Sequence, residues 1–254
     1  MEYRIEKDTL GEVKVPDHQL WGAQTQRSLE HFKIGDRQMP FDIIKGLTIA
    51  KKAAALANHH LGVLSEEKCN LISECCDDIL KDELNEHFPL SIWQTGSGTQ
   101  TNMNVNEVIV NYGEFIRTDD VKGETRFLSA NDDVNMSQST NDIFPTAIRI
   151  ATVKIIFTEM IPALEKFIIT LIDKIFEFKD IKKIGRTHLM DATPLTLGDE
   201  FSSYRSQMEH GLQAIYAALP HLLELPVGGT AVGTGLNTPA GYDKLAVQFL
   251  QQLT

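Results

Sequence analysis

Three short polar stretches carry the residue types that could do chemistry in this chain: Gly96–Glu107, Asn131–Asp142 and Gly185–Leu189. The first places Gly96, Ser97, Gly98 and Thr99 directly before a segment holding Asn102, Asn104 and Asn106. Glycines let a backbone turn tightly and approach a ligand closely. Hydroxyls and free amides at the start of a following helix can then receive negative charge, because helix N-termini expose unpaired N–H groups at the positive end of the dipole. Taken alone, Gly-Ser-Gly-Thr reads equally well as a plain loop with a solvated helix start. The asparagines favour function, since side-chain amides form helices poorly and are costly to bury unpaired. Three at alternate positions point to a wet, polar pocket.

The second stretch, Asn131-Asp-Asp-Val-Asn-Met-Ser-Gln-Ser-Thr-Asn-Asp142, runs straight into a long helical pattern, so Ser139, Thr140 and Asn141 cluster at a helix start. Capping asks for one such residue, and three in a row, preceded by Asn135, Ser137 and Gln138, exceed that need. In the third stretch His188 follows Arg186 and Thr187 between two helical patterns. A lone histidine is more often structural than catalytic, and only proximity to the other stretches would reverse that balance. All three offer hydroxyl and amide donors with little lysine or arginine, which suits a small carboxylate held by neutral groups. Each hydrogen bond to a charged group contributes roughly 1.5–3 kcal/mol, so four or five give micromolar-scale binding.

The elements that must position these groups are helices. Apolar residues from Phe41 to about Leu61 recur with helical spacing. A second helix is expected from the cap Ser65 with its acidic first turn to about Leu84, and a third from Asn102 to about Phe115. Residues 118 to 133 read as a charged loop, and residues 1 to about 40 as irregular, broken by Gly11, Pro16, Gly22, Gly35 and Pro40. No convincing strands appear. Phe157, Ile161, Leu164, Ile168, Leu171, Ile175 and Phe178 step by four and three, the repeat of a long helix in a left-handed bundle. Pro162 should kink that helix rather than end it. Thr193-Pro194 resembles a cap with proline at the first helical position, opening a helix through Phe201, Tyr204, Met208, Leu212, Ile215, Leu219 and Leu222. These stripes are core, and two such helices cannot satisfy themselves as a pair. The glycine-rich Pro226–Thr238 follows a helix, not the strand a dinucleotide fingerprint requires. A last helix begins near Gly241.

With 254 residues, 42% hydrophobic and 23% charged, the chain has the make-up of an ordinary globular protein. Its net charge of −11 argues against nucleic acid or an anionic membrane as main partner. No apolar run approaches the ~18 residues of a spanning helix, and the opening residues lack the apolar region of a signal peptide. Three cysteines, Cys69, Cys75 and Cys76, read as reduced thiols of a cytoplasmic protein. No metal-ligand spacing is present, so neither metal nor cofactor is expected. His59-His60 reads as a dipole-favoured helix end.

In combination these motifs resemble class II fumarate hydratase of the fumarase/aspartase superfamily. The likeness rests on Trp93–Val108, Asn131–Asp142 with Phe144-Pro-Thr-Ala147, Gly185-Arg-Thr-His188, Gly228–Asn237, Gly11–Pro16 and Gly22–Arg27. It runs the length of the chain but covers only somewhat more than half of a typical member; the serine-rich Gly-Ser-Ser-x-Met-Pro loop and later bundle helices are absent. Aspartate ammonia-lyase shares some segments, but usually has glutamine where His188 stands and Gly-Ala-Gly-Thr-Ser in place of Gly96–Gln100. A third reading is a non-catalytic fragment that binds a dicarboxylate or a partner bundle.

The resemblance implies an all-α, L-aspartase-like fold, with an N-terminal lyase domain over residues 1–137 and part of a central helical bundle over 138–254. It implies metal-independent, reversible trans addition of water to fumarate giving L-malate, a step of the tricarboxylic acid cycle, in a cytoplasmic homotetramer. His188 occupies the position of the family's catalytic histidine. Ser97, Gly98, Thr99, Ser139, Thr140, Asn141 and Thr187 fall in its substrate-binding segments. The proton-abstracting serine belongs to the absent part, so the 254-residue chain should lack full activity. A second dicarboxylate site corresponds to Arg126, Ser129, Ala130, Asn131 and Asp132, where the usual His-Pro-Asn-Asp reads Ser-Ala-Asn-Asp and the histidine is gone.

Overall fold

The computed structural model describes residues 2–121 and 125–254. By its contacts the chain divides into two units: Met1–Ala151 together with Leu225–Thr254, and the intervening Thr152–Glu224. The class is all-α, as expected, with two small hairpins added.

The first unit opens with strands β1 (Tyr3–Asp8) and β2 (Gly11–Pro16), paired antiparallel with Asp8 opposite Gly11. This corrects the expectation of an irregular start. Val13 and Val15 turn inward while Glu12 and Lys14 face out, but six-residue strands between breakers give too little alternation to stand out. Helix α1 (Ala23–His31) was likewise hidden, because its buried residues are Ala23, Thr25 and Ser28 rather than an apolar stripe.

Helix α2 (Phe41–His60) is the centre of this unit. Its buried residues face all directions, since it packs on α3 (Glu66–Leu80), α4 (Thr99–Thr118) and α8 (Tyr242–Leu253). Small residues allow the close approach: a Cβ on Gly46 would lie 2.4 Å from the carbonyl oxygen of Ala147. Ser65 caps α3, its hydroxyl accepting from Lys68 N–H at 3.4 Å. His59 and His60 end α2 as expected. Cys69, Cys75 and Cys76 are free and buried, and burial pushes the Cys76 thiol up to about 12. Helix α4 starts three residues earlier than the sequence pattern indicated, and α3 stops short of Leu84. The expected loop over residues 118–133 instead contains a π-helical turn, Ala130–Val134; residues 122–124 of that stretch lie outside the described residues.

Helix α5 (Thr140–Ile155) passes into a π-helical turn, Ile156–Met160, and then α6 (Ile161–Glu177). Pro162 falls at the start of α6, where the wider turn accommodates the missing N–H and ring bulk. Helical structure continues through it, as the repeat implied. In the second unit α6 packs along α7 (Leu197–Leu222). Of the repeat, Ile161 and Leu171 are buried and Leu164, Ile168, Ile175 and Phe178 half-buried, whereas Phe157 is exposed. Phe167, Ile169 and Phe176 also stand exposed on α6.

Between these helices lies a second hairpin, β3 (Lys182–Thr187) and β4 (Met190–Thr196). Thr193 and Pro194 therefore belong to a strand, not a helix start. Thr196 caps α7 instead, because Asp199 stands three residues on and completes a capping box with it.

Candidate active site

The start of α5 shows how the second polar stretch is used. Ser139 does the capping: its hydroxyl accepts from Asn141 N–H at 3.3 Å, and its own N–H donates to Asp142 Oδ1 at 2.8 Å. That frees Thr140 and Asn141 from the cap. The other oxygen of Asp142 accepts the N–H groups of Gly228 and Thr230 at 3.1 and 3.0 Å. Asn141 Nδ2 donates to the carbonyl of Ala231 at 2.8 Å. The glycine-rich stretch is thus a backbone strap tied to the helix start. Its path needs positive φ at Gly228, Gly233 and Gly235, and imposes it on Thr230 and Asn237.

Together these residues enclose a cavity of about 420 Å³, whose lining includes Asn102, Asn135, Ser139, Thr140, Thr230 and Asn237. The polar surface is of hydroxyls and amides, with no charged side chain in the lining. Two buried atoms of these residues, Asn102 Oδ1 and Thr230 Oγ1, have no hydrogen-bond partner in the protein. Buried polar atoms are rarely left so, and both belong to residues of the cavity wall.

The three asparagines do not share one pocket, contrary to the expectation from their spacing. Alternate positions on a helix diverge by about 200°, so they face different ways. Asn102 Nδ2 donates to Asn135 Oδ1 and Thr140 Oγ1 at 3.2 and 3.0 Å. Asn104 donates to the carbonyl of His87 at 3.0 Å, and Asn106 lies 3.7 Å from the Met103 sulfur. All three are buried rather than wet.

Gly98 is the N-cap of α4 with φ 76°, and a Cβ there would lie 2.3 Å from the ring of Phe144. Ser97 and Thr99 flank it on the surface, their hydroxyls 2.9 Å apart. Thr99 lines a different cavity, of about 480 Å³, with Arg126, Ala130 and Asn131. Asn131 borders both cavities. Arg126 is braced by Asn111 Oδ1 at 2.8 Å, by Glu6 at 3.2 Å and by the carbonyl of Val121. Ser129 and Asp132 bond each other, the hydroxyl donating to Asp132 Oδ2 at 3.0 Å and accepting Asp132 N–H at 3.1 Å. Ser129 therefore works as the cap of the π-helical turn.

Thr187 and His188 belong to the second unit, at the tip of its hairpin. Thr187 pairs with Met190, leaving His188 and Leu189 as a two-residue turn with φ 50° and 61°. The turn presents His188 as an exposed side chain.

A participant that the motifs did not indicate is Lys51 of α2, wholly buried beneath the second polar stretch. Its Nζ donates to Asn135 Oδ1 at 2.7 Å and Gln138 Oε1 at 2.9 Å. Burial drives its pKa down to about 7, against the pull of Asp142 and Cys76. The only sequence signal is the lysine pair Lys51-Lys52 amid the otherwise mostly apolar Leu47–Leu56.

Among the described residues, no group of three or more His, Cys, Asp or Glu is placed to hold a metal ion, and no helix is long and apolar enough to cross a membrane.

Comparison with known proteins gives consistent results. A family model described as lyase matches residues 11–254. The chain is 55% identical over its whole length to class II fumarate hydratase of Haemophilus ducreyi, and 54% identical to that of Helicobacter pylori strain J99, covering 55% of each. The chain thus spans about half the length of the curated relatives it matches. Among solved structures, a class II fumarase from Schistosoma mansoni superposes with TM-score 0.95 at 40% identity, over 99% of this chain and 53% of that one. A fumarate lyase:delta crystallin from Brucella melitensis, bound to cobalt, gives 0.94 at 38% identity over 99% and 55%.

Proposed function

This chain belongs to the lyase family, and on that premise we propose that it forms part of a class II fumarate hydratase, interconverting fumarate and L-malate without a metal or other cofactor. The observation that carries this reading is the cavity at the start of α5, where Asn102, Ser139, Thr140 and Thr230 bring neutral donors and acceptors together. Such groups suit a small dicarboxylate, whose charge each hydrogen bond stabilises by roughly 1.5–3 kcal/mol.

In the dehydration direction a base takes a proton beside one carboxylate, and negative charge builds on that group. Donors aimed at it matter most; losing one typically slows such reactions about 10²–10³-fold. In this reading Ser97, Gly98, Thr99, Ser139, Thr140, Asn141 and Thr187 bind substrate. His188 exchanges a proton on the hydroxyl side. Arg126, Ser129, Ala130, Asn131 and Asp132 are the counterpart of a second dicarboxylate site. With Ser129 engaged by Asp132 and Arg126 braced by Glu6 and Asn111, binding there would rest mainly on Asn131.

Residues 1–137 would form the N-terminal domain of the intact enzyme and 138–254 the start of its central bundle. The exposed apolar residues of α6 support assembly into a homotetramer, and the acidic chain suits the cytoplasm. The test replaces the corresponding half of the Haemophilus ducreyi enzyme by this chain and follows fumarate by its ultraviolet absorbance. The chimera should release fumarate from L-malate and not from L-aspartate, while the chain alone should turn over far more slowly. Fumarate from L-aspartate alone, or turnover of the lone chain near that of an intact enzyme, would refute the reading.

A further inference from the structure

We infer that Lys51 is a positioning residue that sets the direction of a hydrogen-bond relay, through Asn135 and Asn102, so that Thr140 presents its hydroxyl proton to the ligand. The inference rests on the proposed binding of a dicarboxylate at the α5 cavity, but the relay itself is defined without any ligand.

The argument follows from what each group can donate. A lysine has N–H donors and, while charged, no acceptor. Both atoms facing Nζ must therefore be oxygens: Oδ1 of Asn135 at 2.7 Å and Oε1 of Gln138 at 2.9 Å. Other bonds agree independently. Gln138 Nε2 is taken up by the carbonyls of Val134 and Met136, both at 3.1 Å, and Asn135 Nδ2 faces the carbonyl of Gln138 at 3.4 Å.

With Asn135 Oδ1 fixed as an acceptor, the Asn102 atom 3.2 Å from it must be the NH₂ group. The same NH₂ group then donates its other proton to Thr140 Oγ1 at 3.0 Å. A hydroxyl that accepts there keeps its own proton for another partner, and Thr140 lines the cavity. The Asn102 oxygen is turned away and is buried without a hydrogen-bond partner in the protein. The relay thus ends in a donor offered to a carboxylate at the cavity.

Lys51 does not itself line the cavity but bonds two residues that do, Asn135 and Gln138, so its action on the ligand is indirect. Burial lowers its pKa to about 7, yet a neutral amine keeps two N–H bonds for its two oxygens, and the relay keeps its sense. A buried lysine facing two neutral amides is an expensive way merely to fill space, whereas a donor-only group at this point removes the ambiguity of two amides that could otherwise flip.

The deciding measurement is hydrogen exchange of the Asn102 side-chain amide in the ligand-free chain. It should be protected in the wild type and exchange at least about tenfold faster in Lys51→Met, while backbone amides of α2 and α5 keep their protection. Unchanged Asn102 protection would overturn the relay. Should Lys51→Met unfold, Asn135→Asp and Asn135→Leu decide instead. The first keeps the acceptor and should keep the Asn102 signal slow; the second should release it, and equal behaviour of the two overturns the proposal. Kinetics in the chimera give the functional side. Lys51→Met should lower kcat/KM for L-malate about 10–100-fold, the loss of one hydrogen bond to a charged group, with no further loss when added to Thr140→Val. Additive losses would overturn it. A chimera inert with Lys51 intact would count against the fumarase reading alone, and the exchange result would still stand.

Discussion

The carboxylate of Glu107, in the middle of α4, accepts the hydroxyl of Thr25 at 2.6 Å and tethers α1 across 82 positions of sequence. The same group accepts the N–H of Gly22, Gln24 and Thr25 at 3.0, 2.8 and 3.1 Å. These are the unpaired donors of a helix N-terminus. Glu107 thus caps a helix from outside it. Burial pushes its carboxyl up, and the four donors pull it back down.

Replacing Glu107 by Gln should therefore destabilise the chain by about 1–3 kcal/mol, because the new NH₂ group faces donors and leaves at least one unsatisfied. Urea unfolding measures this, and α1 amides should lose exchange protection before those of α2. An unchanged midpoint would mean that α1 does not depend on this cap.

Asp142 holds the glycine-rich strap as Glu107 holds α1. Asp142→Asn keeps the shape but can present only one acceptor oxygen, so either the cap to Ser139 or the bonds to Gly228 and Thr230 fail. A loss of about 1–3 kcal/mol is expected, with faster amide exchange at Gly228 and Thr230. Retained protection at both would show the strap held by other contacts.

Lys51 makes a prediction about pH. Its folded pKa of about 7 lies below the ~10.4 of an unfolded lysine. Between those values the unfolded chain binds more protons, so this group makes stability rise with pH across that window. Below about pH 7 both states are charged and the full cost of burying the cation is present. The groups acting on it are Asp142 and Cys76, both of which favour its charged form. Lys51→Met should flatten the rise from pH 7 to 10, a difference on the order of a few kcal/mol visible in denaturant midpoints. Parallel curves for the two proteins would contradict the lowered pKa.

His188→Asn should leave folding untouched, because asparagine tolerates the left-handed conformation that His188 adopts at φ 50°. In the chimera, turnover of L-malate should fall about 10²–10⁴-fold, the usual range for a general acid–base. A near-normal rate would remove His188 from the chemistry.

The sequence made plain whatever repeats with a period. Helix α2, the stripe Ile161–Phe178 and the cap at Ser65 each carry a local signal that the fold obeys. Short or polar elements escaped: β2 offers only Val13 and Val15, and α1 owes its stability to a carboxylate some eighty residues away. Thr193-Pro194 misled because a capping residue also needs its partner three positions on, and only Thr196 has one in Asp199. The site followed the same division. Ser139, Thr140 and Asn141 could be singled out as excess to capping, but which of them caps depended on Asp142. Lys51 gave almost no signal, since its meaning lies in what is stacked over it.

The strap and α8 complete the first unit from positions 225 to 254, after the whole second unit has intervened. During synthesis, the α6–α7 pair and its hairpin would therefore leave the ribosome while α2 still lacks its α8 neighbour. The cavity at the head of α5 would have no strap until residues 228–237 emerge. A nascent chain halted before that point would hold Ser139, Thr140 and Asn141 in an open trough, so this cavity could not be closed around a ligand until the strap had been made.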